Sequence, residues 1–322
     1  MTQYPLFSLI QSELALIEQE LASAVHSQVE LATDIGNHLL RAGGKRLRPA
    51  LYLLCAKSAE RELAPVLPVA VAIELIHMAT LVHDDVIDEA STRRGLTTAN
   101  VRWGNPLAVL TGDYLFAKAF SLVAGHAGNN VLRALTDAIC VICEGEIVQA
   151  KNLFDSSQTE AEYLTRSGKK TAEFIAVSCE LGAKAAGLPE EDAASLRNFG
   201  YSIGMAFQLT DDILDFTGSQ AQVGKPVGND LRQGVLTLPV LYALEASPRR
   251  GELADLIQGR DMAEDKLARC LSIIKDTEAI EYSYQRVHEY LDSARSALPE
   301  AARGEVRSAL SGVADFVGLR NF

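Results

Sequence analysis

Two short stretches constrain this chain more than anything else in it. One runs from Glu74 to Asp88, an apolar helical segment closing on Asp84, Asp85 and Asp88; the other starts at Phe207 and carries Asp211, Asp212 and Asp215 at the same spacing. On a helix the first and last carboxylates of each trio stack one turn apart, with the middle one beside them. Each trio therefore makes an acidic edge. Each also follows an apolar run, Met78 to Val82 or Met205 to Leu209, that belongs in a core. Like charges repel, and an unpaired buried carboxylate costs on the order of several kcal/mol. One Asp-Asp-x-x-Asp can be a solvated surface turn; two copies call for a neutralising partner. Oxygen-only ligands at this density suit a hard divalent cation, Mg²⁺ first, because that ion is shared between one or two carboxylates, waters and a substrate phosphate. The expectation is a metal-bridged polyphosphate held between two facing acidic edges.

The chain has 322 residues, 48% hydrophobic and 22% charged, enough for a sizeable core, and no Ser-, Gly- or Pro-rich block marks a linker. This predicts one domain over residues 1–322. A formal net charge of −12 argues against nucleic acid, whose binders use basic patches to displace counterions. The N-terminus, Met-Thr-Gln-Tyr-Pro-Leu-Phe, has neither the basic start nor the apolar core of a signal peptide. No unbroken apolar run approaches the roughly 18 residues of a membrane span. The expected location is cytoplasmic. Cys140 and Cys143 form a C-x-x-C, but no second Cys or His pair completes a zinc set, so the pair is expected to be thiols buried on a helix face, and all five cysteines are discounted as metal or redox sites.

Hydrophobic spacing predicts two helices between about residues 5 and 40, with Leu6, Ile10, Leu14, Ile17 and Leu21 on one side. The break Arg41-Ala-Gly-Gly-Lys-Arg-Leu-Arg-Pro49 precedes an apolar helix over 49–57, and Pro68 opens the central helix to Asp88. A polar loop follows at 89–95. Further helices are predicted at roughly 105–124, 129–152, 159–186 and 190–217, then a glycine-bearing loop over 217–234 and helices to the C-terminus. No convincing β alternation is present. The fold class is all-α, a single large helical bundle with a central cavity between the two Asp-rich helices.

A polyphosphate also needs donors. Lys45 and Arg48 stand three apart at a helix start, where backbone N–H groups add to them; His77 lies two turns before Asp84; Arg93 and Arg94 follow the first trio; Lys169, Lys170 and Lys225 sit at or near helix ends. Singly, each reads as a solvated charge or a core histidine, and the set beside two acidic edges is harder to dismiss. ATP is not suggested: Tyr163 stands where a Walker loop ending at Gly168-Lys169 needs its first glycine, and Gly224-Lys225 runs into Pro226.

Taken together, Gly43-Gly-Lys-Arg-Leu-Arg-Pro49, Glu74-Leu-Ile-His77, His83-Asp-Asp-Val-Ile-Asp88, Arg93-Arg-Gly95, Gly112-Asp-Tyr114, Lys170-Thr-Ala172, Phe207-Gln-Leu-Thr-Asp-Asp-Ile-Leu-Asp215, Gly224-Lys225 and Gly228-Asn-Asp-Leu231 resemble the trans-polyprenyl diphosphate synthases. The likeness is strongest to the catalytic chains of the bacterial heptaprenyl type. One departure is visible: many relatives have a lysine after the glycine equivalent to Gly234, where this chain has Val235.

The resemblance implies an isoprenoid-synthase bundle and a transferase that adds isopentenyl diphosphate to an allylic diphosphate such as farnesyl diphosphate. It implies that Asp84, Asp85 and Asp88, with Asp211, Asp212 and as a further candidate Asp215, hold Mg²⁺ on the allylic diphosphate. Arg93, Lys170 and Lys225 would contact that diphosphate and Gln208 would lie close to it. Lys45, Arg48, His77 and Arg94 would hold isopentenyl diphosphate. It further implies a homodimer, with a smaller accessory subunit left open, and a long product of the heptaprenyl kind for a quinone side chain. Ala79 and Thr80, on the helix below the first trio, are the expected tunnel positions, small at Ala79 where short-chain relatives often carry a ring. A short-chain synthase, a terpene cyclase and a non-catalytic scaffold subunit stay open as alternatives.

Overall fold

A computed structural model describes residues 5–59, 62–218 and 227–319. A 3₁₀ turn, Pro5–Ile10, leads into α1 (Gln11–Ala24), α2 (Glu30–Arg41), α3 (Leu47–Ala56) and α4 (Leu67–Ile87). A small hairpin, β1 (Thr92–Arg93) and β2 (Leu96–Thr97), separates these from α5 (Ala99–Trp103), α6 (Asn105–His126) and α7 (Asn129–Lys151). Then come α8 (Glu160–Ser167), a π-helical turn at Gly168–Ala172, α9 (Glu173–Ala186) and α10 (Glu190–Thr217). The rest is α11 (Asn229–Arg232), α12 (Leu238–Ala246), α13 (Arg250–Gln258), α14 (Glu264–Lys275), α15 (Ala279–Ala297) and α16 (Gly304–Gly318). The all-α expectation holds.

The chain divides into two compact units, each assembled from three segments: residues 1–136, 178–196 and 299–310 in one, 137–177, 197–298 and 311–322 in the other. In the first unit α4 is the core. Pro68 sits in its first turn, where a missing N–H is harmless. Its apolar residues run round the whole helix, as a helix buried on all sides requires. It packs against α1, α3, α5 and α6. The close approach of α6 depends on Gly112, where any side chain would collide with the His83 ring.

Two segments, Ala64–Ile87 and Asn105–His126, are long and apolar enough to cross a membrane by length and composition. Counting unbroken apolar runs misses both, because single polar residues such as Glu74 and Asp113 interrupt them. Inside the fold 61% of the first segment's apolar window is buried, as expected of a core helix.

The second unit takes the first turn of α9 and most of α10, with Phe174, Phe199, Ile203, Met205, Leu209 and Ile213 in its core. Here α12 packs against α8, α13 and α15, and the Tyr242 and Tyr282 rings stack at 4.7 Å.

Three expectations need correcting. The loop after Asp88 contains the hairpin, paired Thr92 to Thr97 and Arg93 to Leu96, and its two turn residues Arg94 and Gly95 both have positive φ, 51° and 78°. That is the backbone of a tight hairpin turn, written with Arg-Gly where Asn-Gly is the usual signal. The helix expected over 159–186 is interrupted by the π turn that carries Lys170. Cys140 and Cys143 are exposed on α7, because the helix face they share with Ile147 is uncovered; Cys55, Cys179 and Cys270 are buried.

Candidate functional site

The first acidic edge lies at the C-terminal end of α4. Asp85 is 3% exposed, and its carboxylate accepts a hydrogen bond from Arg93 Nε at 2.7 Å. Asp84 and Asp88 are half-buried on the neighbouring face. The chain beyond is tied back to the helix: Asn100 donates to the Asp85 and Ala90 carbonyls, and Thr98 Oγ1 donates to Ala90 O at 2.6 Å. These bonds fix the hairpin that carries Arg93 and Arg94.

Lys45, Arg48, His77 and Arg94 fall in the same unit. Arg48 donates from a terminal nitrogen to His77 Nε2 at 3.1 Å, and Arg94 donates to the Gly43 carbonyl. Burial lowers the His77 pKa well below its usual value, and the surrounding Arg48, Arg94, Arg93 and Arg46 charges push it the same way. His77 is therefore a neutral ring that accepts from Arg48 and keeps Nδ1–H to donate, so the positive charge here belongs to Lys45 and the arginines. Ala79 is fully buried in α4, whereas Thr80 is half-buried and donates from Oγ1 to His77 O at 2.8 Å.

The second edge lies near the end of α10. Asp212, 4% exposed, accepts from Tyr163 OH at 2.6 Å and from Gln208 Nε2 at 2.7 Å, while Thr171 Oγ1 donates to Gln208 Oε1 at 2.6 Å. Burial pushes the Asp212 carboxyl up to about 7, with Asp230 and Asp211 adding to the rise and the Tyr163 and Gln208 bonds opposing it. Asp215 is engaged differently, since its two oxygens accept the Asn229 and Asp230 backbone N–H groups at 3.1 and 3.2 Å and so cap α11. Asp211 is half-buried. Lys170 forms an ion pair with Glu146 at 2.8 Å, and Lys169 pairs with Glu144. Lys225 lies outside the described residues.

Sequence reading missed Tyr163, Thr171, Arg46 and Glu74. Tyr163 had a usable signal, a hydroxylated ring at helical spacing from Ser167 and Lys170. Thr171 lies inside the Lys-Thr-Ala motif, but only its bond to Gln208 gives it a role at the site.

Among the described residues, no group of three or more His, Cys, Asp or Glu is arranged to hold a metal on its own. Half-buried carboxylates one helical turn apart, without a finished cage, are the donor set of a hard cation that completes its shell with water and substrate phosphate.

A family model described as Polyprenyl synthetase matches residues 29–274. Heptaprenyl diphosphate synthase component 2 of Geobacillus stearothermophilus is 45% identical over 317 residues, 98% of each chain. Octaprenyl diphosphate synthase of Escherichia coli (strain K12) is 34% identical over 97% of each. Among solved structures, heptaprenyl diphosphate synthase from Staphylococcus aureus aligns with a TM-score of 0.91 at 36% identity, covering 97% of this chain and 99% of that one. A polyprenyl synthase from Caulobacter crescentus CB15, complexed with calcium and isoprenyl diphosphate, aligns with a TM-score of 0.91 at 36% identity over 97% of this chain and 96% of that one.

Proposed function

This chain belongs to the polyprenyl synthetase family, and from that premise we propose that it condenses isopentenyl diphosphate onto an allylic diphosphate, farnesyl diphosphate or a similar primer, to build a long trans-polyprenyl diphosphate for a quinone side chain. It is a prenyltransferase, and its substrates are isoprenyl diphosphates. The observation that carries the reading is one chain holding two Asp-Asp-x-x-Asp edges and, round His77, a further set of cations. A terpene cyclase would use acidic edges and metal but has no second diphosphate to bind.

The roles follow from the chemistry. Asp84, Asp85 and Asp88, with Asp211 and Asp212, bind the metal that accompanies the allylic diphosphate. Asp215 is a weaker candidate because its oxygens cap α11. A divalent metal serves this family, and for this chain we propose Mg²⁺, which when bound stabilises charge developing on the leaving diphosphate. Arg93, Lys170 and Lys225 add donors to that diphosphate, and Gln208 orients Asp212. Lys45, Arg48 and Arg94 hold isopentenyl diphosphate, with His77 donating from Nδ1, so that its double bond meets the allylic cation without a further entropic cost of encounter.

The heptaprenyl and octaprenyl relatives support a long product. Each five-carbon unit extends by roughly one helical turn, about 5.4 Å, so about C30–C40 needs an apolar path several turns long; we propose that α4 below Asp84, at Ala79 and Thr80, forms one wall. We also propose a homodimer through α6 and α7, supported by exposed Leu110 (61%) and Ile147 (68%), acting in the cytoplasm and open to a smaller accessory subunit.

Incubating the purified chain, alone and with host extract, with farnesyl diphosphate, labelled isopentenyl diphosphate and Mg²⁺ tests the reading by product chromatography. Elongated linear chains are expected; a cyclic hydrocarbon, or no elongation in either preparation, would overturn it.

A further inference from the structure

The turn Gly43–Arg46 that presents Lys45 is held in an unusual way. Arg46 has φ +50°, the left-handed region, which a side chain disfavours and which persists only where surrounding contacts over-determine it. Those contacts are on its guanidinium. Nε and one terminal nitrogen grip the Glu18 carboxylate of α1 at 2.5 and 3.1 Å, and the other terminal nitrogen reaches Glu74 of α4 at 2.8 Å. Arg46 is 8% exposed and Glu74 only 2%.

A carboxylate this buried is tolerable only beside positive charge. Burial raises the Glu74 pKa while Arg46, then Arg48 and Arg94, act to lower it. Its second oxygen, Oε2, has no hydrogen-bond partner among the described residues, so the Arg46 bond is the one that fixes the group. The turn itself is wedged between guanidinium groups. A Cβ at Gly44 would lie 2.8 Å from an Arg94 nitrogen and 3.0 Å from an Arg46 nitrogen.

We propose that Arg46, clamped by Glu74 and Glu18, is a positioning residue for the isopentenyl diphosphate site: it fixes the left-handed turn that aims Lys45 and Arg48 and touches no substrate itself. Each of its guanidinium nitrogens already has a carboxylate partner. The two glutamates more than offset its charge, so the attraction for an incoming anion comes from Lys45, Arg48 and Arg94. Arginine is needed for its planar fork, which bridges two carboxylates on different helices; a lysine keeps the charge and loses the bridge. Glu74 also stands one turn before His77 on α4, so the clamp and the Arg48–His77 bond share a helix face.

This inference rests on the assignment of Lys45 and Arg48 to isopentenyl diphosphate, and the test separates the two. Steady-state kinetics would vary each diphosphate in turn for wild type, Arg46→Lys, Glu74→Gln, Glu18→Gln and, as a control for the assignment, Arg48→Ala, with thermal melts alongside. The expected result is an isopentenyl diphosphate KM raised about tenfold or more in Arg46→Lys and Glu74→Gln, the worth of one charged hydrogen bond. The farnesyl diphosphate KM and kcat should stay within about twofold, a split that a general loss of fold would not produce. Glu18→Gln removes one grip from a partly exposed position and decides the matter if the buried variants fail to fold. An unchanged isopentenyl diphosphate KM in folded Arg46→Lys or Glu18→Gln, or both KM values rising together, overturns the inference while a raised KM in Arg48→Ala leaves the assignment standing. An unchanged KM in Arg48→Ala overturns the assignment and the inference with it.

Discussion

The two acidic edges share one spacing and are handled by opposite means. At the end of α4 the buried Asp85 is neutralised by a cation, Arg93, supplied eight residues later by the hairpin. Near the end of α10 the buried Asp212 is held by two neutral donors, Tyr163 and Gln208, and its carboxyl rises to about 7. The third aspartates differ as well: Asp88 is half-buried beyond the last turn of α4, while Asp215 turns its oxygens onto the backbone of α11. Identical spacing thus yields one edge whose buried aspartate is hydrogen-bonded by a cation and one whose buried aspartate is hydrogen-bonded by neutral groups, with the charge of Arg166 acting on it through space. A buried carboxylate with only neutral donors is costly as an anion, and a divalent ion is the partner that would make it favourable.

This comparison can be broken most decisively at Asp84 and Asp211, the first aspartate of each edge. Asp84→Ala and Asp211→Ala should each lower kcat by about 10²–10³, the typical loss when one placed electrostatic group is removed, with melting temperatures close to wild type. Near-wild-type turnover in either variant would remove that edge from catalysis.

Asp215→Ala should instead show up as stability. Losing a carboxylate that accepts two helix N–H groups costs about 0.5–2 kcal/mol, visible as a lower urea midpoint. An unchanged midpoint together with a turnover loss as large as that of Asp211→Ala would make Asp215 a ligand and not a cap.

A further effect is expected in pH. A carboxyl raised from 3.8 to about 7 binds its proton more tightly in the folded chain, so its contribution is fully present below the unfolded value and is lost as pH rises through about 7. Metal-free protein should therefore lose stability from about pH 4 to 7 by a component that Asp212→Asn abolishes and Mg²⁺ suppresses. Thermal melts across that range that show the same slope in wild type and Asp212→Asn would show that the two edges do not differ as described.

Much of this was legible in the residues. The helices, the duplicated acidic edge and the cations near helix starts follow from period and spacing, because a 3.6-residue repeat places side chains without knowledge of their neighbours. What stayed hidden depends on distant partners. Asp215 reads like Asp88 until Asn229 and Asp230 fold onto it. His77 reads either as one of the cations or as a core histidine until burial, with the arginines round it, makes it neutral. Arg46 looks like one more base in a basic turn, and only the approach of Glu18 and Glu74 from α1 and α4 shows that its charge is already used. The hairpin escaped because each strand has two residues, too few for alternation to register.

The claim that both edges act through a divalent cation on the allylic diphosphate is tested most directly by calorimetric titration of farnesyl diphosphate into wild type, Asp84→Asn and Asp211→Asn, with Mg²⁺ and with chelator. The account predicts tight binding by wild type that needs Mg²⁺ and is weakened at least about tenfold in each variant, one charged contact's worth. Binding by wild type that is equally tight in chelator, or full Mg²⁺-dependent affinity in either variant, would contradict it.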